Sequence, residues 1–159
     1  LFYLGPLRPA MHAAIDAVRV AGTPDGPVPV VVLSVEDAED VVPIFIGFEE
    51  AMAIARGLDA EDIGRPLTHD LLLDVVEELG GRVTQVVVSA VEDGTYIADL
   101  HVATPRDDVV VDARPSDSLA LAARTNAPIE ISEAVFEDSR RDADEFAELD
   151  DIREVTEFA

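Results

Sequence analysis

The chain has no cysteine, no lysine and no tryptophan in its 159 residues, and only two tyrosines. Without cysteine there are no disulfides and no thiolate metal centres, and the redox compartment leaves no trace. No apolar run approaches the roughly 20 residues needed to span a bilayer, so no membrane partner is expected. Catalytic templates are missing as well: there is no P-loop, no Gly-x-Gly-x-x-Gly, no His-Glu-x-x-His and no Gly-x-Ser-x-Gly, which withdraws support from most nucleotide-binding and hydrolase families. Positive charge is scarce. Eleven arginines face 34 carboxylates, for a formal charge of −23. Such a surface repels itself in dilute salt, but at molar salt the Debye length shrinks to about 3 Å and the repulsion is screened. The expectation is a salt-adapted, cytoplasmic protein. A basic partner would be the other explanation, yet the acids are spread along the whole chain.

What is present is enough for one domain with a real core: the length suits a single unit and 48% of residues are hydrophobic. Residues 1–12 read as an N-terminal extension or cloning remnant ahead of the domain, which is placed at 13–138, with an acidic C-terminal segment able to form a helix at 139–159. β-branched runs at 15–20, 28–35 and 41–46 read as three strands, and Gly47 opens a helix that ends near Gly57. A second helix is expected over 69–79, with Leu72, Val75, Val76 and Leu79 at helical spacing and Gly80-Gly81 as its stop. Strands at 83–91 and 95–102 flank Glu92-Asp93-Gly94, a hairpin turn. A short strand at 109–111 and a helix at 119–124, broken by Ala127-Pro128-Ile129, complete the body. Strands and helices come in mixed blocks, so the fold class is α+β: a single layered domain whose mixed or mostly antiparallel sheet packs against helices. Residues 130–159 hold twelve acids and three arginines, with Phe146, Leu149, Ile152, Val155 and Phe158 at every third position. Folding back onto the domain is expected for this stretch.

Two phrases echo each other: Arg65-Pro66-Leu67-Thr68-His69-Asp70 and Asp112-Ala113-Arg114-Pro115-Ser116-Asp117-Ser118. Each sets an arginine, a proline, a hydroxyl and a carboxylate at the start of an apolar helical run, where backbone N–H groups are free to meet an anion. The same residue types also make ordinary helix caps. Histidine is the natural proton carrier near neutral pH; of His12, His69 and His101, His69 is the best placed, between a hydroxyl and a carboxylate. Arg65 and Arg114 are held extended by the prolines that follow them and can fork onto a phosphate or onto an internal carboxylate. Asp70, Asp74, Asp112 and Asp117 could supply oxygen ligands to Mg²⁺ or Mn²⁺.

Val42-Pro43-Ile44-Phe45-Ile46-Gly47 with the helix after it, the two echoing phrases, and Ala127-Pro128-Ile129 resemble, in order and spacing, the bifunctional nuclease (DNase/RNase) domain family over about residues 13–138. Two departures are Ser118, where the family usually has alanine, and Phe45, where tryptophan is frequent. The resemblance implies a compact α+β fold that forms homo-oligomers and hydrolyses phosphodiester bonds in DNA and RNA. It carries over motif positions only. On that footing His69 is the candidate base, Arg65 and Arg114 the phosphate clamp, Thr68 and Ser116 substrate-binding hydroxyls, and Asp70 and Asp117 catalytic carboxylates or ligands of an assisting metal. Nucleic acid would be bound weakly, because an acidic surface repels a polyanion and high salt removes the counterion-release driving force. Two other readings stay open: a non-enzymatic oligomeric module, and a binder of small anions such as a phosphate-containing metabolite.

Overall fold

In a computed structural model of the chain, the described residues are 10–60 and 64–155. Three strands, β1 (Ala10–Thr23), β2 (Gly26–Val35) and β3 (Val41–Phe45), form one antiparallel meander. Two helices follow, α1 (Phe48–Asp59) and α2 (Thr68–Glu78), and then a second antiparallel meander of β4 (Arg82–Glu92), β5 (Thr95–Ala103) and β6 (Asp108–Ala113). Helix α3 (Pro115–Thr125) leads to the short strand β7 (Ile129–Ser132), which slots between the meanders, antiparallel to β1 and parallel to β4. The sheet therefore runs β3-β2-β1-β7-β4-β5-β6. It is a mixed sheet in an α+β domain, as expected.

Local chemistry accounts for the main turns. Asp93 and Gly94 both have positive φ, 51° and 80°, the backbone of the two-residue turn whose twist matches a hairpin. Asn126 ends α3 in the left-handed conformation at φ 57°, a role open to Asn at modest cost. Strand β1 begins at Ala10, so Ala10, Met11 and His12 belong to the sheet and pair with Ser132, Ile131 and Glu130 of β7. The sequence reading had set these three residues outside the domain.

The main core lies between one face of the sheet and the helices. Val31, Leu33, Val86, Val88 and Ile131 meet Ile54 of α1 and Leu119 and Leu121 of α3 there, all of them buried. Helices α1 and α3 approach closely at Gly57, where a Cβ would come within 2.9 Å of the Ala123 methyl and 2.8 Å of Arg124 Nη1. Val30 and Val32, on the other face of β2, form a smaller core with Val41 and Phe146. Phe146 belongs to α5 (Asp144–Ala147), which follows α4 (Glu133–Ser139), and Ile152 opens α6 (Ile152–Val155) after the two-residue β8 (Asp150–Asp151) paired to β1. The C-terminal segment thus folds back as expected, with Phe146 and Ile152 buried; Phe158 lies outside the described residues.

Helix α2 is the exception to the packing. None of its residues is fully buried. Leu73 and Val76 touch the core, while Leu71, Val75 and the adjoining Leu79 are 55%, 46% and 75% exposed.

Candidate functional site

The two echoing phrases begin α2 and α3, and the fold brings these helix starts together. Neither hydroxyl caps its helix: Leu67 and Arg114 occupy the cap positions, while Thr68 and Ser116 lie inside the first turn. At α2 the capping bond comes from Asp70, whose Oδ2 accepts the Leu67 N–H at 2.9 Å. Pro115 is the first residue of α3, where a missing N–H costs nothing.

His69 and Asp117 meet across the gap, Nε2 to Oδ1 at 2.9 Å, with the imidazole 16% exposed. The Asp117 carboxylate also accepts from Arg114, at 2.9 Å from Nε and 3.3 Å from Nη2. Arg114 Nη1 lies 3.5 Å from Glu50 Oε1. His69, Asp117, Arg114 and Glu50 thus alternate in chemical character along a line that ties α2, α3 and α1 together. Burial pushes the Asp117 carboxyl up, but hydrogen bonds from Arg114 and His69 outweigh it and hold the group below the usual carboxylate range. The same bond to Asp117, with its charge, raises Arg114.

Asp70 points elsewhere. Its Oδ1 accepts from Arg124 Nε at 2.7 Å, and Arg124 Nη1 continues to the carbonyls of Ala53 at 2.8 Å and Ala120 at 2.9 Å. This arginine, 10% exposed, clasps α1, α2 and α3. Burial raises the Asp70 carboxyl, and bonds from Arg124 and the Leu67 amide bring it down overall.

The line of polar groups borders a cleft of about 1170 Å³. His69, Thr68, Arg114 and Asp117 line it, together with Glu49 and Glu50 from the first turn of α1 and an apolar floor from α1, α2, β5, β6 and α3. Asp70 instead lines a smaller cavity of about 450 Å³ beyond Arg124. Arg65 sits in the exposed approach to α2 and does not line the cleft, and Ser116 is buried away from it. Of the seven anticipated residues, the structure gathers Thr68, His69, Arg114 and Asp117 at one place and sets Arg65, Asp70 and Ser116 aside.

A shared metal site for Asp70 and Asp117 does not fit this arrangement. The two carboxylates line different cavities and each is held by an arginine. Among the described residues no three His, Asp or Glu side chains are grouped to hold an ion. Sequence reasoning passed over Arg124 and Tyr96, and noted Ser118 only as a departure from the family pattern. Arg124 looks like a basic residue in a last helical turn, where the dipole favours one, and a lone tyrosine in a strand gives no signal at all.

A sequence model of the bifunctional nuclease domain matches residues 31–144, a span containing every residue of the polar line. The chain belongs to the bifunctional nuclease domain family. An uncharacterized protein of Mycobacterium tuberculosis is 35% identical over 138 residues, 82% of each chain. Bifunctional nuclease 2 of Arabidopsis thaliana is 28% identical over 106 residues, and its counterpart in Oryza sativa subsp. japonica 26% over 109. These matches take in about two thirds of this chain, 64% and 66%, but only 32% and 34% of the plant proteins. Among the described residues, no helix is long and apolar enough to cross a membrane.

Proposed function

We propose that this bifunctional nuclease domain hydrolyses phosphodiester bonds in DNA and RNA, with His69 and Asp117 as its acid–base pair. The observation that carries the reading is the 2.9 Å contact between His69 Nε2 and Asp117 Oδ1 at the edge of a large cleft, in a family whose plant relatives are named nucleases. Asp117, an ionised acceptor, holds the Nε2–H in a hydrogen bond, so the proton stays on Nε2 and the lone pair is left on Nδ1. Nδ1 removes a proton from water as its oxygen attacks phosphorus, and the imidazolium returns a proton to the departing oxygen as the P–O bond breaks. Arg114 directs three of its five N–H donors at carboxylates. The remaining two are available to the charge that builds on the non-bridging oxygens. Asp70, clasped by Arg124, holds α2 in place and takes no part in the chemistry.

The composition fits a salt-rich cytoplasm, where a −23 surface is screened well enough to admit a phosphate to one arginine. The test is cleavage of labelled single-stranded DNA and RNA in molar KCl, with Mg²⁺, Mn²⁺ or EDTA, beside a His69→Ala protein prepared identically. Cutting by the unaltered protein that the substitution lowers at least about 100-fold supports the reading. Equal cutting by both proteins removes His69 from the chemistry.

A homo-oligomer is supported by one further observation. The outer face of α2, with Leu71, Val75 and Leu79, and the edge strand β6, with Val109 and Val110, are exposed apolar surfaces of a kind that subunit contacts cover. Light scattering at molar KCl would show a mass above 17.0 kDa, reduced by Leu79→Glu.

A further inference from the structure

The cleft has two chemically different halves. His69, Arg114 and Asp117, with Glu49 and Glu50, belong to its polar lining, and Met52, Leu72, Ile97, Leu100, Val111 and Leu121 to its apolar lining. A phosphate can use only the first half. Resting on the nuclease reading of this site, we propose that the apolar half receives one unpaired nucleobase, so that the substrate is a single strand or a looped-out nucleotide.

Three observations converge on a base. Ser118 lines the cleft one residue after Asp117, is fully buried, and its Oγ has no hydrogen-bond partner. An unpaired buried hydroxyl is costly unless a ligand completes it, and a base edge offers both a donor and an acceptor. Tyr96 also lines the cleft, its hydroxyl donating to Ser139 Oγ at 2.8 Å. That bond fixes an aromatic ring where a base can stack. The third is charge. With a formal −23, the protein gains little from a phosphate backbone and less at high salt, whereas stacking and apolar burial are uncharged and survive salt. A duplex keeps its bases inside and offers two phosphate chains, the part this surface repels. The volume of about 1170 Å³ exceeds the roughly 300–1,000 Å³ of ordinary ligand pockets, leaving room for a nucleotide and some backbone.

The test is fluorescence anisotropy with the full chain at molar KCl and EDTA, using a labelled ten-nucleotide single strand, the same strand as a duplex, and the same strand with its central nucleotides made abasic. The intact single strand should bind at least about tenfold tighter than either of the others. Val111→Glu, at a position 46% exposed and so open to substitution, should remove that preference while circular dichroism and melting stay unchanged. Ser118→Ala should weaken single-strand binding about threefold while leaving the melting temperature equal or higher, since it deletes an unsatisfied polar group. Abasic and intact strands bound alike, or no binding of the single strand, would overturn the proposal. Base-dependent binding without cleavage under any metal condition keeps the base site and discards the nuclease reading. Duplex and abasic strands cut as fast as intact ones would keep the nuclease and discard the base site.

Discussion

Replacing Arg124 by methionine should unfasten the three helices around the cleft without touching the proposed chemistry. The guanidinium makes hydrogen bonds of 2.7 Å to Asp70, 2.8 Å to the Ala53 carbonyl and 2.9 Å to the Ala120 carbonyl. Bonds to a charged group contribute about 1.5–3 kcal/mol each, but two corrections reduce the sum. The two carbonyls are in mid-helix and already accept a backbone N–H four residues on. Asp70 is 36% exposed, so water takes over part of its shell. Methionine keeps most of the apolar stem. A loss of about 2–3 kcal/mol remains, which for a chain of this size lowers the melting temperature by about 5–10 °C. Asp70→Asn should cost about 1–2 kcal/mol, and the double variant should fall short of additivity by about 1 kcal/mol, because both substitutions break one contact. The assay is urea denaturation of the four proteins in molar KCl, with cleavage measured well below the lowest midpoint. Asp70→Asn should keep cleavage within about threefold of the unaltered protein. Abolished cleavage at unchanged stability would refute the reasoning and return Asp70 to the chemistry.

Arg114→Ala should lower kcat/KM by about 100-fold while leaving the fold intact, since its side chain is 66% exposed; steady-state cleavage and circular dichroism check both halves. Asp70 and Asp117 are held below their ordinary value of 3.8 in the folded chain. They therefore add stability that is present above that value and lost as pH falls through the lower folded values. Urea midpoints between pH 5 and pH 2.5 should drop, and drop less in Asp117→Asn than in the unaltered protein. Gly57→Ala forces a methyl within 2.9 Å of the Ala123 Cβ and should destabilise by about 1–3 kcal/mol in the same assay.

The elements were largely legible because their signals are local. Asp93-Gly94 dictates a hairpin wherever alternating strands flank it, and Pro115 announces a helix start. Strand β7 shows where local reasoning stops: four residues slot between β1 and β4, and nothing in Ile129-Glu130-Ile131-Ser132 names either partner. The exposure of α2 was hidden for a related reason. Leu72, Val75, Val76 and Leu79 have helical spacing, but spacing does not tell whether a core, a cleft or a neighbour lies opposite. In the site, residue type drew attention to His69, Arg114 and Asp117. Their pairing did not follow from it, since in a chain with 34 carboxylates any of several acids could have met the imidazole. Asp70 and Asp117 look equivalent in the two phrases, and the fold separates them by placing Arg124 next to one and His69 next to the other.

The proposed chemistry requires His69 and Asp117 to act as a unit. The most direct measurement is kcat for single-strand cleavage by His69→Ala, Asp117→Asn and the double variant, in molar KCl. Groups that work together lose the same step whichever is removed, so the double variant should be no slower than His69→Ala alone. Losses that multiply in the double variant would show two independent contributions and contradict the pair.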